Sequence, residues 1–410
     1  MITNRRARRR QGLCRALGLA LACGLAAASA QAQDFQAPDP AERARVRIGP
    51  FYLHPTVAIT DVGVDRNVFN DETEPREDFT ATVTPALDYG LRAGPARLSI
   101  RTVASYVWYQ ELTEERHVNI LWRSEFELRF NRVRPFALVE FTRTRARQGD
   151  EIDIRARRST PGYGAGVEVR VATRSWLGVD YRRVETTFDD GQIFEGVDLG
   201  RALDSVTETL GASLRVELTP LTTFVLMTQT QKFRFDRSTF RDADSYLVRP
   251  TLSFNPDALV SGSASVGFRD LRSRQPGVPD YRGLVASVDV SWTPLPSTRL
   301  GASVSRDTVF SFEDHYSFYV SSGGSVTLAQ RIAGAVEAIA NGRRQSLDYQ
   351  GLAGAAARTD TVTSYGAGLG YRLGQFSRLQ FEIRRTERRS PAPGRSYEGT
   401  QYFASVQYGF

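Results

Sequence analysis

Tyr402-Phe403-Ala404-Ser405-Val406-Gln407-Tyr408-Gly409-Phe410 ends the chain. Tyr402, Ala404, Val406, Tyr408 and Phe410 are apolar or aromatic at every second position, with Phe403, Ser405, Gln407 and Gly409 between them. A period of two is that of a β-strand with one apolar and one mixed face. The other end reads as a leader. Arg5, Arg6, Arg8, Arg9, Arg10 and Arg15 precede an apolar run over residues 16–28, and Ala28-Ser29-Ala30 and Ala30-Gln31-Ala32 both carry the small-x-small pattern of a cleavage site. The expectation is an exported chain, with a signal peptide over residues 1–30 cut after Ala30 or Ala32, that finishes on an amphipathic strand.

Removing that leader changes the charge. The 410-residue chain has a formal net charge of +7, and the six arginines of residues 1–30, with no acid among them, leave +1 for the remainder. A nearly neutral body with interspersed signs has no concentrated basic face, so no nucleic-acid partner is expected. Lys232 is the only lysine. Positive charge therefore comes from guanidinium, which stays ionised at any relevant pH and pairs bidentately with carboxylates. Both cysteines, Cys14 and Cys23, fall in the leader, which leaves no disulfide or thiolate metal site downstream. Neither a metal nor another cofactor is expected. Mean hydropathy is −0.33, and no apolar run beyond the leader reaches the ~18 residues of a spanning helix. A transmembrane barrel escapes both tests, because only alternate residues meet lipid.

From Phe51 onward one unit repeats: alternating segment, polar loop, alternating segment, tight turn. Short turns fall near residues 93–95, 131–135, 172–174, 219–221, 255–257, 293–297, 329–331 and 374–376. Between them lie polar loops near 65–78, 111–117, 148–160, 189–204, 236–244, 272–280, 313–316, 346–360 and 390–399. Nine loops and eight turns predict an all-β, antiparallel up-and-down transmembrane β-barrel of about 18 strands, with 16 as the alternative, short periplasmic turns and longer extracellular loops. A β-propeller has a similar period, but alternation over 79–92 and 205–218 runs about twice the length of a typical soluble strand. The domains expected are the signal peptide, a periplasmic extension over 31–50 and the barrel over 51–410.

Alternation also assigns faces. Ile120, Trp122, Phe126, Leu128 and Phe130 oppose Arg123, Glu125, Glu127 and Arg129; Val167 and Val169 oppose Glu168 and Arg170; Leu214 and Val216 oppose Arg215 and Glu217. Likewise Val288 and Val290 oppose Asp289, and Leu379, Phe381 and Ile383 oppose Glu382 and Arg384. A soluble sandwich would bury the apolar face. A barrel turns it to lipid and lines an aqueous lumen with the charged one, where Arg299 and Arg372 also belong. About 18 long strands would need lipid to cover them, which favours the barrel. Tyr408, Phe410, Trp292, Phe136 and Trp176 near turns, with Trp108, Tyr109 and Tyr402 near loops, are expected in aromatic girdles.

Chemistry is sparse. His54, His117 and His315 have no serine motif beside them, so a hydrolase is not expected. Gly366-Ala367-Gly368-Leu369-Gly370 has glycine at period two within a strand, as do Gly162, Gly164 and Gly166, unlike a phosphate loop. An inward-folded loop near these strands is one reading. Residues 189–204 combine Asp189, Asp190, Glu195 and Asp198 with buriable Ile193, Phe194 and Val197, and are expected to narrow the lumen.

Two resemblances complete the reading. The terminal strand with Tyr402, Tyr408 and Phe410 resembles the closing strand of bacterial outer-membrane barrels, which implies recognition by the barrel-assembly machinery. The opening hairpin, with Asp65, Asn67 and Phe69 in the segment Val64-Asp65-Arg66-Asn67-Val68-Phe69, resembles the outer-membrane β-barrel porin family, type two, whose members are associated with exopolysaccharide loci. Val64 stands where that motif has an aromatic. The resemblance implies an outer-membrane location in contact with lipid and lipopolysaccharide, and a porin-like channel for small polar solutes or exported polysaccharide. The alternatives are a surface-exposed structural or adhesin barrel and a barrel hydrolase.

Overall fold

The computed structural model describes residues 44, 46–255, 258–374 and 377–409. The signal peptide expected over 1–30, most of the extension expected over 31–50, and Phe410 lie outside the described residues. Eighteen long strands form one antiparallel sheet: β1 (Phe51–Asp65), β2 (Asp78–Ala93), β3 (Ala96–Tyr109), β4 (His117–Leu128), β5 (Val133–Ala146), β6 (Ala156–Ala172), β7 (Ser175–Phe188), β8 (Ser205–Thr219) and β9 (Thr222–Phe235). They continue as β10 (Ala243–Phe254), β11 (Val260–Ser273), β12 (Tyr281–Leu295), β13 (Thr298–Phe310), β14 (Tyr316–Ala333), β15 (Val336–Gly351), β16 (Arg358–Leu373), β17 (Ser377–Arg389) and β18 (Tyr397–Tyr408). Each strand pairs with its neighbours in sequence, and β1 pairs with β18, from Val57 opposite Tyr408 to Asp65 opposite Gln401. That last pairing closes the barrel and leaves it without an edge. The count is 18, not 16, and a closed single sheet rules out both propeller and sandwich.

The seam between β1 and β18 is tightly built. β1 bulges there, with Asp61 in the left-handed region (φ 53°) and a register shift between Ile59 and Val62. Beyond it, a Cβ on Gly63 would lie 1.9 Å from the Tyr402 carbonyl oxygen, so only glycine lets the two backbones meet. Below Val57, where β18 has ended, the short strand Val46–Ile48 pairs with Phe51, Tyr52 and Leu53. This end of the 31–50 segment is thus part of the sheet, covering hydrogen-bonding groups that β18 does not reach.

Several connections differ from the sequence expectation. Residues 156–160, 346–351 and 358–360 are strand rather than loop, and the turn expected at 329–331 lies at Gly334, whose φ of 52° permits the tight reversal. Strand pairing extends past the last apolar residue because the ladder satisfies backbone groups whether or not a side chain meets lipid.

Along β7, Leu177, Val179 and Tyr181 are 49%, 53% and 39% exposed while Trp176 is 4% exposed. In a single-walled barrel the buried parity faces inward. Trp176 therefore belongs to the lumen, with Asp180 and Arg182, not to an aromatic girdle. Phe136 does too: it shares parity with Leu138 and Glu140, and its ring lies where a Cβ on Gly166 would be, at 2.6 Å. Trp292, Tyr402 and Tyr408 are exposed on the outer face.

Candidate functional site

The loop joining β5 to β6, residues 147–155, crosses the lumen. Asp150 accepts two hydrogen bonds from Arg343 of β15, at 3.0 and 2.5 Å, and β15 stands on the opposite wall. Asp153 accepts from Arg388 of β17 at 2.6 Å, and the Glu151 carbonyl accepts from Arg395 in the 390–396 loop. At the near side, Arg147 and Arg155 donate to the Val68 carbonyl at 2.6 and 2.9 Å, and Asn70 donates to Asp153 at 3.3 Å. A segment of nine residues is tied to three parts of the wall. Charge-assisted bonds of this kind are about twice as strong as neutral ones.

The anchoring arginines are themselves fixed. Asp360, fully buried, accepts from Arg358 at 2.9 and 2.8 Å, from Arg388 at 2.6 Å and from Ser390 at 2.6 Å. Arg358 also reaches Glu313 at 2.7 Å. Glu151 is buried too, accepting from the Ser311 hydroxyl at 2.6 Å. Burial pushes its carboxyl up to about 7, against the lowering effect of the Ser311 bond. Burial likewise raises Asp153, opposed by Arg388 and Arg395.

The loop over 189–204, expected to narrow the lumen, packs against the crossing segment at Ile152. Its Ile193–Phe194 and Val197–Asp198 segments pair, turning at Glu195 and Gly196, and Asp198 caps the short helix Leu199–Leu203 by accepting from Arg201 N at 3.0 Å. Phe194, Leu199 and Leu203 pack with Ile152, Phe235 and Phe312 in one apolar cluster. Asp189 turns to Arg143 at the rim, 3.3 Å away, and Asp204 accepts from Phe188 N. Glu195 lies 3.8 Å from Arg395, the arginine that also donates to the Glu151 carbonyl, so the two loops meet the same distant cation, while the bidentate contact across the lumen belongs to Asp150 of 147–155. Sequence offered no choice between them, since Asp150-Glu151-Ile152-Asp153-Ile154 also mixes acids with buriable residues.

Elsewhere, inward charges pair along the wall. Glu168 accepts from Arg215 at 2.7 Å, and Arg134, Arg215 and Arg170 surround the Trp176 ring at 3.8, 5.2 and 5.6 Å from its centre. Arg123 lies 3.6 Å from Glu125, and Glu127 accepts from Arg129 at 2.6 Å. Glu382 accepts from Arg384 at 2.8 Å, Asn341 at 3.1 Å and Gln380 at 3.0 Å. Arg372 pairs with Glu337, Asp289 stands between Ser263 and Ser303, Arg299 is half-buried and Glu217 is exposed near its turn. Sequence reading passed over Glu140 with Arg182, Asp307 with Arg269, and Glu337 with Arg378. Inward parity would have found each. Gly366, Gly368 and Gly370 face inward without admitting a loop; a Cβ on Gly368 would lie 2.2 Å from the Phe381 carbonyl oxygen.

The opening motif serves the seam. Asp65 accepts from Asn67 N at 3.1 Å and from Gln401 at 3.0 Å; Asn67 donates to the carbonyls of Asp71 and Glu398 at 2.8 and 2.9 Å. Asn67 thus ties the first loop to β18, and Phe69 stacks with Arg76. His117 bonds the Glu115 carbonyl at 2.6 Å; His54 and His315 lie in β1 and the 311–315 loop, so the histidines do not converge.

A profile of the Putative beta-barrel porin 2 family matches residues 39–410. Crystal structures of the outer membrane protein OpdK (OccK1) of Pseudomonas aeruginosa share the fold: two of them match at TM-score 0.50 over 87% of this chain and 98% of theirs, with 10% and 8% identity. No curated protein sequence matches. Barrel closure, inward charge and the family match together place the chain in the Putative beta-barrel porin 2 family, as a porin-like barrel of the outer membrane.

Proposed function

We propose that this barrel is a non-enzymatic channel for small polar solutes, saccharides among them, and that residues 147–155 form its constriction. The observation that carries the reading is the bidentate contact of Asp150 with Arg343 across the lumen. Wall charges of both signs alternate around the inner face, giving a transverse field that orients water and polar solutes with little net preference for either ion sign. Neutral and mildly anionic saccharides suit that field. Exported polysaccharide is a wider cargo, which the lumen takes only when the crossing loop is displaced.

Single-channel conductance in a planar bilayer tests this. Arg343→Ala, which frees Asp150, and a shortened 147–155 loop should each raise conductance several-fold over the intact chain. A folded barrel that stays electrically silent in all three forms would sink the channel reading and favour the surface-structural alternative.

A further inference from the structure

On the outer face, near the loop ends, cations mostly meet carboxylates. Arg183 pairs with Glu208 at 2.8 Å, Arg234 with Asp244 at 2.5 Å, Arg272 with Asp270 at 2.8 Å and Arg385 with Glu398 at 2.6 Å. Arg306 and Arg344 depart from that pattern. Parity places both outward, since their neighbours Asp307 and Arg343 bond inward to Arg269 and Asp150. Arg306 donates to the Ser322 hydroxyl at 2.6 Å, and among the described residues neither guanidinium has a carboxylate in ion-pair contact.

The two arginines flank one strand. Ser322 of β14 stands opposite Arg306 of β13, and Gly324, two residues along on the same face, stands opposite Arg344 of β15. Between them the surface is low, with a hydroxyl and a glycine. No side chain fits at Gly324, because a Cβ there would lie 2.8 Å from the Ser303 carbonyl oxygen. Exposed Val304, Val326 and Tyr365 lie immediately toward the bilayer. An arginine costs about 2–4 kcal/mol on the lipid face at the midplane and little near the interface. This pair therefore sits at headgroup level, on the side of the long loops, with donors left unsatisfied by protein.

We propose that Arg306, Ser322 and Arg344 form a seat for the phosphate of an outer-leaflet glycolipid. Two guanidinium forks and a hydroxyl match a tetrahedral oxyanion, and the glycine keeps the seat open to it. The proposal rests on the long-loop end facing outward but not on conductance, so it can fail while the channel reading stands.

The test measures retention of bisphosphorylated lipid A by the purified full chain in detergent, by native mass spectrometry. The double variant R306Q/R344Q should retain at least about tenfold less than the wild type. S322L, which fills the seat but leaves both charges, should lose retention as well; it covers the case in which the double variant fails to fold. Arg183→Gln, at a paired site, should change nothing. Dephosphorylated lipid A should be held no better by the wild type than by the double variant, and equimolar inorganic phosphate should not displace the bound lipid. Equal retention by wild type and variants, or equal retention of the two lipid forms, would overturn the proposal. Displacement by inorganic phosphate would replace it with a site for free phosphate.

Discussion

The two ends of the lumen use the same chemistry at different reach. At the turn end, carboxylates pair with arginines on the same strand or close along the wall: Glu127 with Arg129, Glu168 with Arg215, Glu337 with Arg372. At the loop end, Asp150 and Asp153 reach Arg343 and Arg388 across the barrel, and apolar residues of three loops pack around Ile152. Wall pairs leave the lumen open, whereas cross-lumen pairs order a loop inside it. What distinguishes a lining from a constriction is therefore not the amount of fixed charge but whether the partner belongs to the same wall.

The strongest way to break this contrast is to remove the acid at the centre of the loop-end network. Asp360→Ala leaves Arg358 and Arg388 buried without their shared carboxylate, and should cost about 3–5 kcal/mol. Urea-driven unfolding of the barrel in vesicles measures it, and a cost no greater than that of a turn-end substitution would erase the difference between the two ends.

A pH titration sharpens the contrast next. Glu151 has its carboxyl raised to about 7 in the docked loop, so the docked state binds a proton more tightly than an exposed loop does. Docking is favoured fully at pH below the ordinary carboxylate value and weakens as pH rises toward about 7, beyond which it changes no further. Conductance should therefore climb between about pH 5 and about pH 7. Glu151→Gln should flatten the profile, and an unchanged slope in that variant would assign the pH response elsewhere.

The smallest effect belongs to the turn end. Glu127→Gln breaks a pair in which Arg129 is 44% exposed, so solvent screening limits the cost to at most about 1 kcal/mol. A loss comparable to that of Asp360→Ala would show that the turn end is as tightly coupled as the loop end.

Alternation alone pointed to about 18 strands, their inward and outward parity and the position of most connections, because it is a local property with a period of two, whereas closure decided 18 over 16. Even Trp176 was legible in principle, sharing the parity of Asp180 and Arg182; nearness to a turn was the weaker guide. The opening motif pointed to family, while the role of Asn67 emerged only when Glu398 came within reach across the seam. The path of 147–155 could not be read at all. Its acids resemble those of 189–204, and what draws 147–155 across the lumen is Arg343 and Arg388, about 200 residues or more along the chain, which barrel closure alone brings opposite.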